Sequence, residues 1–289
     1  MKQITIISGK GGTGKTTVAS NFIKMAHDHV AVDADVDAAN LHILLEPKVE
    51  KKEDFIGGEV AVVNESCINC GKCEELCRFD AILNSTTDIK IDSLKCEGCG
   101  VCEYICPASA IGLVKDKQGE FYVSSTNYCS LVHARLDPGA ENSGLLVTRV
   151  RNAAEDIAYS QNKKLIIIDG APGIGCPVIA SLNGVDYALI VTEPTLSGIS
   201  DFKKIYGVAM FFNIKTFVII NKFDINTENT AEIEKFCHSN DIEIIGRISY
   251  DEMVPKVLPQ KKFIIDFPDS PAGIEIRQLY EKFENALYN

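Results

Sequence analysis

Residues 4–17 read Ile4-Thr5-Ile6-Ile7-Ser8-Gly9-Lys10-Gly11-Gly12-Thr13-Gly14-Lys15-Thr16-Thr17. The first four are β-branched and predict a buried strand. The glycine-dense stretch after them matches G-x4-G-K-[ST]. From Val18 to Ala26 the apolar residues Val18, Phe22 and Met25 recur at helical spacing. Strand, glycine loop and helix is the order a phosphate-binding loop needs. Glycines let backbone N–H groups approach phosphate oxygens, and the helix N-terminus adds positive dipole. In this reading Gly9, Gly11, Gly12, Thr13, Gly14, Lys15, Thr16 and Thr17 cradle ATP. Lys15 neutralises the β- and γ-phosphates, and the Thr16 hydroxyl is placed for Mg²⁺.

The strands further along the chain extend the same pattern. Val30-Ala31-Val32 is a short apolar run that ends in Asp33-Ala34-Asp35-Val36-Asp37. Leu165-Ile166-Ile167-Ile168 is a continuous apolar run that ends at Asp169, as a central parallel strand does. Tyr187–Val191, Phe217–Ile220 and Ile244–Ile248 read as further strands. Strands alternating with helical stretches predict an α/β fold with a doubly wound, mostly parallel sheet. In such sheets the C-terminal strand ends line the ligand crevice.

Eleven cysteines stand apart from this pattern, and eight of them fall between residues 67 and 106. Cys67, Cys70, Cys73 and Cys77 are spaced C-x2-C-x2-C-x3-C, and Cys96, Cys99, Cys102 and Cys106 repeat that spacing. Ala81-Ile82 recurs as Ala110-Ile111, so the segment is an internal duplication. The N-terminus carries no signal-peptide pattern and the cysteine count is odd. Both point to thiolate chemistry in a reducing cytoplasm. Zinc knuckles also use C-x2-C pairs, but two complete four-cysteine runs in tandem fit two [4Fe–4S] clusters better. In such runs the fourth cysteine ligates the other cluster. Cluster one therefore takes Cys67, Cys70, Cys73 and Cys106, and cluster two takes Cys96, Cys99, Cys102 and Cys77.

Two resemblances follow from these motifs. Lys10 in Lys-Gly-Gly-x-Gly-Lys-Thr resembles the deviant Walker A loop of the MinD/ParA/nitrogenase-iron-protein ATPases. That resemblance implies a homodimer in which Lys10 reaches the partner's phosphates, as an arginine finger does. It also implies that Asp35 orients the attacking water, with Asp37 a competitor for that role. Asp33 becomes a structural carboxylate on the phosphate side, and Asp169 holds Mg²⁺ through water. Gly170-Ala171-Pro172-Gly173 becomes a flexible switch, and Asn221 reads adenine. The family usually has a proline where Ser249 stands, which leaves the adenine contacts near Tyr250 open. Residues 60–115 resemble a bacterial-type ferredoxin, with Arg78 in place of the proline that usually follows the fourth cysteine. A cation there favours the reduced cluster, so cluster two is expected to have the higher potential of the pair, by tens of millivolts at roughly 8 Å. The whole chain looks like a MinD-superfamily ATPase (1–56 and 119–289) with an inserted small α+β ferredoxin-like domain (57–118).

The rest of the chain bears on function mainly by exclusion. Net charge is −11, which disfavours nucleic acid and anionic membrane as partners. The two assembled clusters would add about four more negative charges. Segment 127–145 reads as an irregular partner or dimer-face loop. Ile276, Leu279, Tyr280, Phe283 and Leu287 form a helix face that packs on the core. Cys237 reads as core. Cys176 and Cys129 are the candidates for a third cluster shared between subunits, against a plain thiol reading. None of the five histidines has metal-ligand spacing. The favoured function is an ATPase whose nucleotide cycle gates electron transfer through the two clusters to or from a redox partner protein. The alternatives are an iron–sulfur carrier of the Mrp type, which would need a C-x-x-C pair absent after residue 106, and a positioning ATPase with structural or sensory clusters.

Overall fold

Strand β1 (Lys2–Ser8) is buried on both faces from Ile4 onward, as a central strand covered by helices must be. The computed structural model describes residues 1–85, 88–140 and 143–288. After β1 come α1 (Lys15–Met25), β2 (His29–Asp33), α2 (Leu41–Leu45) and the long strand β3 (Lys48–Val63). The cysteine-rich segment holds α3 (Lys72–Leu76), β4 (Ile82–Asn84), β5 (Ile89–Ile91) and α4 (Val101–Ile105). Then follow β6 (Ile111–Ser125), β7 (Ser130–Leu136), α5 (Ser143–Ser160), β8 (Leu165–Pro172), α6 (Cys176–Leu182) and β9 (Tyr187–Thr192). The chain ends with α7 (Leu196–Phe211), β10 (Lys215–Asn221), α8 (Thr227–Ser239), β11 (Glu243–Ile248), α9 (Val254–Val257) and α10 (Pro271–Tyr288).

The chain divides into two compact units. One comprises Met1–Lys52, Phe121–Arg135 and the chain from Ser143 onward; the other comprises Glu53–Glu120 and a short piece that begins at Leu136. Glu53 lies within β3 and Glu120 within β6. The polar stretches Glu50–Asp54 and Lys115–Lys117 lie in these strands. β3 is an edge strand, where charged side chains are the usual guard against edge-to-edge pairing.

In the first unit the sheet order runs β11-β10-β9-β1-β8-β2-β7, continuing through β6 to β3. Pairing is parallel from β11 through β7. β1 lies between β8 and β9 while the chain leaves it toward β2, so its C-terminal end is a topological switch point. The register sets Asp33 directly opposite Asp169. Alternation along the strands divides the core. Ile4, Ile6, Ile167, Leu189 and Phe217 share one cluster with Phe22 of α1 and with Ile276, Leu279 and Phe283 of α10. Thr5 faces the other way and donates its hydroxyl proton to the Ser181 carbonyl of α6 (2.6 Å). Helices thus cover both faces. The apolar face of α10 is spent on this core, and no described helix is long and apolar enough to cross a membrane.

Two local expectations are corrected. Residues 130–136 form β7, with Leu131, Val132, His133 and Ala134 buried; among the described residues the irregular parts are the turn before it and residues 137–140 after it. Glu141 and Asn142 lie outside the described residues. The expected flexible switch at Gly170–Gly173 is mostly strand, since β8 continues to Pro172. At Gly170 a Cβ would crowd the side chains of Ile7 (2.7 Å) and Thr5 (2.9 Å), so this glycine serves close strand packing. The turn is confined to residues 173–175.

His29 on β2 is buried with neither ring nitrogen hydrogen-bonded. Burial, helped by the Lys163 charge, pushes its pKa down to about 4. A depressed histidine stabilises the fold fully above its unfolded value near 6.5, and that stability is lost as pH falls toward 4. The loss is about 3 kcal/mol by pH 4. His29→Leu is expected to flatten the fall in urea midpoint between pH 7.5 and 4.5. An equally steep fall in the variant would contradict this assignment.

Candidate functional site

The loop between β1 and α1 wraps the mouth of a cleft of about 530 Å³ at the C-terminal strand ends. Gly11, Gly12, Gly14, Lys15, Thr16 and Thr17 line it. Gly14 has φ +90° and lies against the Asn221 amide, a conformation and a closeness that a side chain would disturb. Asn221 donates from Nδ2 to the Thr13 carbonyl (2.7 Å) and accepts at Oδ1 from the Lys222 N–H (3.0 Å). The predicted base-reading residue thus lines the cleft while also bracing the loop. Tyr250, Val254, Leu258 and Ile276 supply an apolar wall beside it. Ser249, where a proline was expected, donates through both its N–H and its hydroxyl to Glu275 (2.7 Å each).

At the loop's other side Lys15 Nζ donates to Asp169 Oδ1 (2.6 Å) and stands 3.8 Å from Asp35 Oδ2. Burial lowers the Lys15 pKa, but Asp169, Asp35 and Asp33 outweigh it and raise the value. Burial and the neighbouring Asp169 charge push Asp33 up to about 7, against the Leu41 N–H that it accepts. Burial also raises Asp35, with Lys15 opposing. Three carboxylates therefore face one ammonium. Asp169 Oδ2 and Thr13 Oγ1 are buried without partners, although such groups are normally satisfied. This donor set suits a hydrated Mg²⁺ with phosphates. Mg²⁺ keeps most of its waters and needs only one or two protein oxygens.

Lys10 does not line the cleft. Its Nζ pairs with Glu193 Oε1 (2.7 Å) and donates to Thr195 Oγ1 (3.1 Å) and Ser197 Oγ (3.0 Å). Of Asp35 and Asp37, Asp35 is the one that pairs with Lys15 among the described residues, and the Asp37 charge acts on Asp35.

In the second unit the duplication extends to the backbone. Asn69 and Gly98 share left-handed φ (+56°, +59°), as do Gly71 and Gly100 (+73°, +75°) and Asp80 and Ser109 (+49°, +47°). At Gly98 a Cβ would overlap the Glu59 carbonyl. Cys77 and Cys106 occupy the C-caps of α3 and α4 with nearly equal dihedrals. Cys67, Cys70, Cys73 and Cys106 line one small cavity. Cys77, Cys96, Cys99 and Cys102 line another, which Cys73 also borders. Ala61 N–H donates to Cys96 Sγ (3.4 Å) and Ala110 N–H to Cys106 Sγ (3.2 Å). The Ala110 contact holds the Cys106 thiol below its usual range. Among the described residues no three His, Cys, Asp or Glu side chains stand close enough to share a single metal ion. Arg78 is exposed, so solvent screens its charge.

Residues 4–262 match the family model of the CobQ/CobB/MinD/ParA nucleotide-binding domain. The chain belongs to this family. It is 35% identical to an uncharacterized protein of Methanocaldococcus jannaschii, MJ0578, over 99% of this chain and 97% of that one. It is 22% identical to the iron–sulfur cluster carrier protein of Pyrococcus abyssi, over 99% and 86%. The structure resembles the septum site-determining protein MinD of Pyrococcus horikoshii complexed with Mg-ADP. The TM-score is 0.61 at 18% identity, covering 99% of this chain and 97% of that one.

Within this MinD/ParA-type fold, the remaining cysteines separate. Cys176 is exposed at the start of α6, beyond the C-terminal end of β8. Cys129 precedes β7, whose Ser130 pairs with Val30 near the start of β2. It lies at the N-terminal end of the sheet and packs on the core. Burial pushes its thiol up to about 11. The two therefore do not converge within a protomer. Cys237 is fully buried in α8, and burial pushes it up to about 12.

Sequence reasoning missed Glu193, Lys222 and Asn40 as site groups. Lys222 Nζ donates to the Gly12 carbonyl (3.0 Å) and to Glu193 Oε2 (2.8 Å). Asn40 lines the cleft with Oδ1 buried and unpartnered. The available signal was position: Glu193 and Lys222 each follow the C-terminal end of an apolar strand.

Proposed function

We propose that the protein is a dimeric ATPase whose nucleotide cycle gates electron transfer through two [4Fe–4S] clusters held by the second unit. The observation that carries this is the crossed grouping of the cysteines. Each cavity gathers three cysteines of one run and the fourth of the other, as a two-cluster ferredoxin-like unit requires. Bound clusters would supply reversible one-electron transfer. The unit is spliced between β2, which ends at Asp33, and β8, which carries Asp169. Segments that sense the γ-phosphate are thus covalently continuous with it.

The chain's own residues do the nucleotide chemistry. Backbone N–H groups of the loop and Lys15 neutralise the phosphates, while Thr16 and Asp169 hold hydrated Mg²⁺. Asp35 orients the attacking water. Lys10 stabilises charge on the partner's γ-phosphate. A second reading, cluster delivery, is supported by the similarity to the iron–sulfur cluster carrier protein. Eight cysteines in two closed cages favour retention over delivery.

Iron analysis with substitution tests the cluster part. The wild type should hold about eight irons per chain. Cys77→Ser should retain about four, bound by Cys67, Cys70, Cys73 and Cys106, because Cys77 serves the other run's cluster. Cys106→Ser should lose the opposite cluster. One zinc per run, or loss confined to the mutated run's own cluster, would overturn the assignment.

A further inference from the structure

We infer that Glu193 is a latch that stores Lys10 inside the resting protomer and so opposes nucleotide-driven dimerisation. The inference rests on the proposed role of Lys10 in the partner's site. Glu193 follows β9 and is 7% exposed. One carboxylate oxygen takes Lys10 (2.7 Å) and the other takes Lys222 (2.8 Å). Burial disfavours the Glu193 charge, but the two ammoniums outweigh it and hold its carboxyl below the usual range.

The neighbourhood is built to hold this arrangement. Thr195 and Ser197 add hydroxyl acceptors to Lys10, and Thr195 also caps α7 by accepting from the Gly198 N–H (3.0 Å). At Gly9 a Cβ would overlap the backbone of Asp201, so the start of the loop is seated on α7. Lys10 is thus satisfied within its own protomer and outside its own cleft. It reaches another protomer only by giving up Glu193. Lys222 stays behind, keeps its bond to the Gly12 carbonyl, and compensates the carboxylate after Lys10 leaves. This explains why one carboxylate serves two lysines: Glu193 keeps a cationic partner in both states.

A charge-assisted hydrogen bond of this kind contributes about tenfold or more to an equilibrium. In Glu193→Gln, which keeps the side-chain shape, ATP-dependent dimers should form at protein concentrations about tenfold lower or less. Basal hydrolysis measured below the wild-type dimerisation midpoint should rise accordingly. Glu193→Asp, which keeps the charge, should stay nearer wild type. Sedimentation velocity with Mg·ATP gives the first readout and phosphate release the second. In the Lys10→Ala background Glu193→Gln should have no effect on either. Unchanged or weaker dimerisation of a folded Glu193→Gln protein, with Lys10→Ala still abolishing dimerisation, overturns the latch alone. Normal dimerisation and hydrolysis by Lys10→Ala in otherwise wild-type protein overturns the underlying role of Lys10, and the latch with it.

Discussion

Replacing Lys10 with alanine is expected to reduce ATP hydrolysis by about 10³-fold or more, the range set by removal of a cationic finger. Affinity of a single protomer for Mg·ATP should change little, because the Lys10 side chain lies outside its own cleft and on Glu193. This separation of binding from turnover marks a residue that acts on charge developing in the transition state. A lysine that merely decorated the loop would affect neither. A lysine that served its own protomer would affect both. Equilibrium binding of a fluorescent ATP analogue, paired with phosphate release, distinguishes these cases.

Lys15→Ala is expected to fail differently. The Lys15 side chain is 6% exposed and pairs with an Asp169 that is fully buried. Its removal leaves Asp33, Asp35 and Asp169 facing one another without a cation. Breaking a buried pair from one side costs about 3–5 kcal/mol, so the variant should unfold at markedly lower urea as well as lose nucleotide binding. Adding Asp169→Asn should recover part of the stability and none of the activity. Full stability in the single variant would mean that water or protonation already compensates these carboxylates.

The loop and the cysteine runs were legible in sequence because their chemistry is local. Backbone cradling of phosphate needs consecutive glycines at a strand–helix junction, and a cluster cage needs cysteines within one turn of each other. The central strands were legible as unbroken apolar runs. β7 was not, because Ser130, His133 and Arg135 interrupt its pattern. His133 is buried neutral, pushed down to about 4 by burial and then by His42, and it is bonded to Ser124 (3.1 Å). β3 was hidden by the charge appropriate to an exposed edge. Glu193 and Lys222 were hidden for another reason. They come from two different strand ends, and only the β9–β10 pairing brings them together across the loop. The Asp33 and Asp169 pair became definite only with the β2–β8 register.

Gating is tested most directly by a redox titration of the iron–sulfur signals in Mg·ATP and in Mg·ADP. The protein should be shown by sedimentation to dimerise only in the first. At least one cluster potential should differ between the two states by about 60 mV, a tenfold change in a one-electron equilibrium, and Lys10→Ala should remove the difference. Equal potentials and equal reduction rates in the two nucleotide states would contradict gating.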